Sequence, residues 1–347
     1  MKILLVIENI ERYLFFKHIA KILSPTHDIE IATNNKLAHL LLKNKYRTYL
    51  FNTPSFLFET NSFDRIIIWN GCHMLGEAIA EKSAIEKIRF WELSNLPSKI
   101  QSSKYGVNAK SEIFSKPSLL DAYPEVDDNK HREWLNIYYQ EKMKPPAQSK
   151  VSPCKLTYIF FSYLLSPTSL SKSTVENLKS LFIKIKTSNK KNNQQLLPEN
   201  FIFFPCQVST DTQITINSNT NNIAAIETAF NIATKKAVDL VVKIHPAEKS
   251  FQEITRIKQF CQQPGITLCN NNTAQLLGKC IEVITINSTV GLEALIYNKP
   301  VTTLGKAVYS DFDQSRLKKY IHHHLISDID YFNPGKASTN SVTNAIM

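Results

Sequence analysis

The sequence predicts an α/β protein made of two doubly wound, Rossmann-like halves, and three observations carry that reading. The chain has 347 residues, about twice the usual domain length. Both ends alternate short, continuous apolar runs with longer amphipathic ones, the strand–helix pattern of parallel sheets covered by helices. Between them lies a stretch of different texture, rich in Lys and Asn. A hydrophobic fraction of 43% and an aromatic fraction of 10% are enough to fill two cores.

The elements follow in order. Lys2–Ile7 reads as a buried strand, Arg12–Leu23 as an amphipathic helix, Asp28–Ala32 as a second strand, Lys36–Lys43 as a helix and Tyr46–Phe51 as a third strand. Arg65–Trp69 is the apolar run expected of a strand buried on both faces. A helix over Gly76–Ile85 and a strand over Ile88–Glu92 follow. Lys130–Met143 is helical, Pro145 and Pro146 break it, and Thr174–Ile185 is helical again. Alternation resumes with strand Phe201–Phe204, helix Ala224–Lys236, strand Leu240–Ile244 and helix Phe251–Cys261. Strand Ile266–Leu268, helix Thr273–Leu277, strand Glu282–Ile286, helix Gly291–Tyr297 and strand Val301–Leu304 complete the pattern. Arg316–Ile326 reads as a closing helix that crosses back, and the tail beyond Asn333 is expected to be disordered. Boundaries then fall at 1–118 for the first Rossmann-like domain, 119–199 for a helical or linker segment, 200–332 for the second Rossmann-like domain and 333–347 for the tail.

Composition narrows the class. Glu8, Glu11 and Arg12 interrupt the apolar N-terminus before it resembles a signal peptide. No stretch approaches the roughly 18 apolar residues of a membrane span; the richest run, Tyr158–Leu165, is too short. The reading is a cytoplasmic protein. Its six cysteines (Cys72, Cys154, Cys206, Cys261, Cys269, Cys280) form no C-x-x-C pair and are expected to stay reduced. The net charge of +11 favours anionic partners. Nucleic acid is the weakest of these, because no zinc-finger spacing, RNP-like motif or dense basic stripe is present. Lys184–Lys191 reads as a solvated loop. His322, His323 and His324, consecutive on one helix, point in different directions and are not expected to share an ion.

Four segments end a strand and then turn polar, where ligands of open α/β sheets bind. In Val242-Lys243-Ile244-His245-Pro246, the imidazole can meet a phosphate oxygen or carry a proton, or simply close a strand. In Ile286-Asn287-Ser288-Thr289-Val290-Gly291-Leu292-Glu293-Ala294, Ser288 and Thr289 suit a helix N-cap and Gly291 permits close backbone approach. Freed N–H groups there suit a phosphate, Glu293 suits ribose hydroxyls, and ordinary capping is the plainer reading. Phe204-Pro205-Cys206-Gln207-Val208-Ser209-Thr210-Asp211-Thr212-Gln213 offers Asp211 as a nucleophile or stabiliser, or as an Asx-turn. Glu92 ends a buried strand ahead of Leu96-Pro97, Gln101 and Gly106-Val107-Asn108, with Trp69-Asn70-Gly71 on the strand before it; burial suits such a carboxyl to acid or base work. The Lys-x-His-Pro and Asn-Ser-Thr pair on successive strands suits both GT-B-type nucleotide-sugar transferases and sugar-nucleotide epimerases.

In this order the four segments resemble the bacterial capsule polysaccharide synthesis family that includes retaining β-Kdo transferases. The shared features are Trp-Asn-Gly, a Glu before Leu-Pro…Gln…Gly-Val-Asn, Gln-x-x-x-Asp-Thr-Gln, Lys-x-His-Pro and Asn-Ser-Thr-Val-Gly-Leu-Glu-Ala, over roughly residues 65–110 and 200–330. The resemblance implies a GT-B-type fold with a cleft between the halves, the first serving the acceptor. It also implies double-displacement transfer of Kdo, an eight-carbon acidic sugar, from CMP-β-Kdo to a glycan or lipid-linked acceptor of capsule or other surface polysaccharide. Asp211 would be the nucleophile and Glu92 the acid/base near the acceptor. His245 and Lys243, flanked by Pro246, would meet the leaving phosphate with Ser288, Thr289 and the helix start at Gly291, while Glu293 would hold the ribose. Asn70, Gly71, Gln101, Asn108, Gln207 and Gln213 are sugar-side or acceptor-side candidates. No metal or other cofactor is called for, because His, Lys and backbone N–H groups can meet the phosphate charge. The basic surface fits peripheral contact with an anionic membrane, at the inner face of the inner membrane. Other donors (CMP-sialic acid, CDP-glycerol, a UDP-sugar) and a non-catalytic capsule-assembly subunit remain open readings.

Overall fold

The computed structural model describes residues 1–51, 62–69, 74–94, 96–143, 153–165, 196–215 and 217–347. They form two compact units: Met1–Glu112, Val126–Lys190 and Tyr320–Met347 make the first, and Ile113–Glu125 with Lys191–Lys319 make the second. Among the described residues, no helix is long and apolar enough to cross a membrane.

The first unit is built on a seven-stranded sheet. Its strands are β1 (Lys2–Ile7), β2 (Asp28–Thr33), β3 (Arg47–Leu50), β4 (Arg65–Trp69), β5 (Ile88–Leu93), β6 (Lys99–Ser103) and β12 (Ile326–Ser327), ordered β12-β6-β5-β4-β1-β2-β3. The five strands from β3 to β5 are parallel, whereas β6 runs antiparallel to its neighbours β5 and β12. Side-chain alternation splits β1 between two cores. Ile3, Leu5 and Ile7 pack with Phe15, Phe16 and Trp91, and Leu4 and Val6 pack with Ile68, Leu75 and Ile79. Apolar residues are therefore needed at successive positions, which is why the strand reads as a continuous run. Helices Ile10–Leu23 and Met74–Glu81 supply the covering layers. Asn9 starts the former by accepting the Arg12 N–H at 2.8 Å.

Three expectations for the first unit change. The middle segment is not a separate linker where it is described. Helices Asp128–Met143 and Pro153–Leu165 belong to this unit, the latter packing on helices Ile10–Leu23 and Lys36–Leu42. Thr174–Ile185 lies outside the described residues. The closing helix ends early: Gln314–Lys319 is helical, a π-helical turn Tyr320–His324 follows, and β12 replaces the rest. The tail is ordered. Thr339–Ile346 is a helix whose Val342, Ala345 and Ile346 are buried in the first core. Helix-end carbonyls lack intrahelical donors; here Trp91 Nε1 and Ser102 Oγ donate to the Ala345 carbonyl at 3.2 and 3.0 Å, and Arg65 Nε donates to that of Ile346 at 2.8 Å.

The second unit has a five-stranded, wholly parallel sheet. Strands β7 (Phe201–Pro205), β8 (Asp239–Lys243), β9 (Ile266–Leu268), β10 (Glu282–Thr285) and β11 (Val301–Thr303) are ordered β11-β10-β7-β8-β9. Ile202 and Phe204 enter one core, Phe201 and Phe203 the other. Because β7 lies between β8 and β10, the order reverses there. Both units are Rossmann-like, and in each the reversal point flanks the first strand.

Candidate functional site

At the carboxyl edge of the second sheet, the reversal point is closed by a polar lock. Gln207, just past β7, donates its amide to Asn287 Oδ1 at 2.9 Å and accepts the Asn287 N–H at 3.1 Å. Asn222 clasps the Gln207 backbone from the other side, accepting its N–H at 3.1 Å and donating to its carbonyl at 2.9 Å. All three residues are buried. Gln207, a sugar-side candidate from the sequence, therefore ties the ends of β7 and β10 together.

The loop after β7 is latched to the loop after β8. Glu248 accepts the Ser209 N–H at 2.6 Å, and its other oxygen accepts the Lys249 and Ser250 N–H groups at 2.8 Å each. The backbone donors keep this carboxylate ionised below its usual range despite the opposing effect of burial. Asp211 lies at the end of the latched loop, half-buried. Its carbonyl receives the Ile214 and Thr215 N–H groups at 3.0 Å, starting the short helix Thr212–Thr215.

His245 shares this neighbourhood. Packing of protein around its solvent-facing ring holds the pKa below the usual imidazole value, and Lys243 adds to the lowering, while Asp211 and Glu248 oppose it. Ala247 N–H donates to Nδ1 at 3.1 Å. The geometry assigns the proton of the neutral ring to Nε2, leaving that N–H as a donor. Pro246 follows at the surface. Lys243 is less available than expected: its Nζ donates to the Asn271 carbonyl at 2.7 Å and to Thr273 Oγ1 at 2.9 Å, and burial lowers its pKa.

Past β10, Ser288 is the N-cap of helix Thr289–Ile296, accepting the Val290 N–H at 3.2 Å. Thr289 opens the helix; β10, which leads into it, is separated by β7 from β8, the strand that ends at Lys243 and leads to His245. Glu293 is buried on the same helix and acts electrostatically on Lys243 and Tyr309. Gly291 has a packing role. A Cβ there would overlap Tyr309, falling 2.6 and 2.7 Å from its Cε2 and Cζ. The glycine makes room for a buried tyrosine whose hydroxyl donates to the Ser288 carbonyl.

In the first unit, Glu92 lies near the end of β5, opposite Gln101 on β6, and interacts electrostatically with the Tyr331 phenol. Gln101 and Asn108 hold each other, Asn108 N–H donating to Gln101 Oε1 at 3.3 Å and Gln101 Nε2 to Asn108 Oδ1 at 3.4 Å. Asn108 has φ of 54°, a left-handed conformation that Asn tolerates well. This pair braces a loop beside Glu92. Asn70 and Gly71 lie outside the described residues, as does the side chain of Gln213.

The sequence reading missed Glu8. It lies two residues beyond Val6, as Glu92 lies two beyond Phe90, and Val6, Ile68 and Phe90 share one register row. Two carboxylates therefore stand at one level on the carboxyl edge of this sheet. Burial raises the Glu8 pKa, opposed by Arg12, whose Nη1 donates at 2.8 Å, and by N–H groups of Leu75 and Gly76 at the start of a helix. An acidic residue directly after the first strand was the available signal. Asn222, Glu248 and Tyr309 were also missed, because their roles arise from contacts distant in sequence. The three histidines diverge: His322 Nε2 lies 3.0 Å from His131 Nδ1, and His324 stacks on Tyr320. Among the described residues, no three His, Cys, Asp or Glu side chains are grouped to hold a metal ion.

The chain is similar to several known proteins. The chain is 24% identical over 283 residues to the capsule polysaccharide export protein KpsS of Escherichia coli, covering 73% of this chain and 70% of that one. It is 33% identical over 129 residues to protein FixF of Sinorhizobium fredii, covering 36% of this chain but only 31%, about a third, of FixF. Among solved structures, the β-Kdo 2,4-transferase of Thermosulfurimonas dismutans KpsC superposes with a TM-score of 0.51 at 10% identity, over 99% of this chain and 98% of that one. At that identity the likeness speaks for the GT-B-type class of two Rossmann-like units. A family model described as capsule polysaccharide biosynthesis protein matches residues 65–313, and the chain therefore belongs to the capsule polysaccharide biosynthesis protein family.

Proposed function

We propose that this protein is a retaining glycosyltransferase of surface-polysaccharide synthesis. It moves Kdo from CMP-β-Kdo to a glycan or lipid-linked acceptor on the cytoplasmic face of the inner membrane. One observation supports this above the rest: Asp211, His245 and Glu248 are gathered by latched loops at a Rossmann reversal point, beside a Ser288-capped helix. A carboxylate, a neutral imidazole with a free-facing Nε2–H and a helix N-terminus are what departure of a sugar from a phosphate requires.

In this reading the Asp211 carboxylate attacks the anomeric carbon as its bond to the phosphate oxygen of CMP breaks. His245 Nε2–H and the N–H groups behind Ser288 take up the charge on the departing phosphate. The acceptor hydroxyl then displaces Asp211 and gives its proton to a general base, the role that the family resemblance assigns to Glu92. The two inversions give net retention. The charge on the phosphate is met by protein donors, so the reading calls for no metal. Membership of the capsule family and the fold shared with a β-Kdo transferase favour Kdo over CMP-sialic acid, CDP-glycerol or a UDP-sugar.

The test uses Asp211→Asn and Asp211→Ala with CMP-Kdo generated in situ and a panel of glycan and lipid acceptors, read by mass spectrometry. Transfer is expected to vanish while CMP still raises the melting temperature, and the wild type should carry a donor-derived adduct on the Asp211 peptide. Normal transfer by either variant overturns the nucleophile assignment. Turnover of a UDP-sugar but not CMP-Kdo overturns the donor.

A further inference from the structure

The first unit carries an apolar stripe that the proposed chemistry does not use. On helix Pro153–Leu165, Phe160, Phe161, Leu164 and Leu165 are 57%, 54%, 56% and 39% exposed. Their spacing of i, i+1, i+4 and i+5 puts them on one face. The opposite face is anchored: Ile159 is buried, and Ser162 Oγ receives the Asn35 amide at 2.9 Å. That bond sets helix Lys36–Leu42 alongside, with Leu40 and Leu41 exposed at 44% and 43%. Large apolar side chains scattered singly need no explanation, but six on two packed helices mark an interaction surface.

Charge selects the occupant. Lys36, Lys43 and Lys45 are exposed on and just after the second of these helices, and neither helix contains an acidic residue. From Lys142 to Lys191 the sequence holds ten lysines and a single acidic residue, Glu176. Protein interfaces deplete lysine. Phe and Leu flanked by lysine are the composition of helices that lie in the headgroup region of anionic bilayers.

We propose that the exposed faces of helices Lys36–Leu42 and Pro153–Leu165 dock this protein onto an anionic phospholipid surface, the aromatic stripe entering the headgroup region and the lysines facing lipid phosphates. The docking does not depend on which sugar is transferred, or on transfer at all.

Flotation of the full chain with phosphatidylcholine vesicles, with and without phosphatidylglycerol, tests this in the absence of any donor. The wild type is expected to float with phosphatidylglycerol vesicles, less so at high salt, and to stay behind with phosphatidylcholine alone. Replacing Lys36 and Lys43 by Gln should weaken partitioning about thirtyfold, at about 1 kcal/mol per lysine near an anionic surface. Replacing Phe160 and Phe161 by Ser should weaken it about tenfold or more, with the melting temperature unchanged because both rings are exposed. Failure of the wild type to float, or unchanged flotation of both variants, overturns the proposal. So does a wild-type oligomer that the Phe160/Phe161 variant converts to monomer without loss of flotation, since the stripe would then join two copies. Loss of flotation with turnover of a soluble acceptor intact keeps the membrane result separate from the transferase reading.

Discussion

Gly291→Ala separates two reasons for a glycine at the start of the helix proposed to bind phosphate. If the glycine served the ligand, the variant would fold normally and lose nucleotide binding. The structure instead puts Tyr309 where a Cβ would go, with Cε2 and Cζ at 2.6 and 2.7 Å and the hydroxyl overlapping. Tyr309 is buried and hydrogen-bonded to the Ser288 carbonyl, so it has little room to retreat. Overpacking of this kind costs about 3 kcal/mol at the upper end of its usual range, offset by about 1 kcal/mol from the better helix propensity of Ala. The net loss of about 2 kcal/mol should lower the melting temperature of the second unit by about 4–8 °C. A double-mutant cycle with Tyr309→Leu supplies the control. In that background Gly291→Ala should become neutral, or stabilising by about 1 kcal/mol, as read by chemical denaturation. A Gly291→Ala protein that melts like the wild type refutes the packing argument, as does a penalty that persists once Tyr309 is shortened.

The two carboxylates of the first sheet should part company. Glu92→Gln is expected to lower turnover about 10²–10⁴-fold while CMP affinity and melting temperature hold. Glu8→Gln, which disturbs the bonds to Arg12 and Gly76, should instead show first as lost stability; full activity of the Glu92 variant would exchange the roles. A pH titration of stability tests the half-buried His324, whose pKa is lowered to about 4 by the protein packed around its ring. Its folded value lies below the unfolded value of about 6.5. The neutral ring therefore contributes stability above that pH, and the contribution is lost as pH falls towards 4. Between pH 7 and 5 the loss is about 2 kcal/mol, and His324→Phe should take that share out of the slope, leaving the part due to His322, whose pKa is likewise lowered to about 4; an unchanged slope refutes the assignment.

The strands and most helices were legible because each parallel strand feeds two cores. Leu4 and Leu5 must both be apolar for opposite reasons, and so must Phe203 and Phe204. The β6 strand escaped because its pattern is polar: Lys99 and Gln101 are buried, but through contacts to Ser327 and Asn108 that lie elsewhere in the chain. The last helix escaped because Ser, Thr and Asn surround its three buried apolar positions, and the partners of its end carbonyls come from Arg65, Trp91 and Ser102.

The sequence by itself determined the α/β class, the two-unit plan and the strand ends on which chemistry can sit, because continuous apolar runs and caps are local signals. It also supplied Asp211, His245 and Ser288 as candidates. Only tertiary structure decided what those residues do for one another: that Gln207 is a lock, that Glu248 latches the Asp211 loop beside His245, and that Gly291 serves Tyr309. Such roles depend on side chains that meet across strands far apart in the chain, and hydrogen bonds and packing between distant residues leave no periodic trace in the order of amino acids.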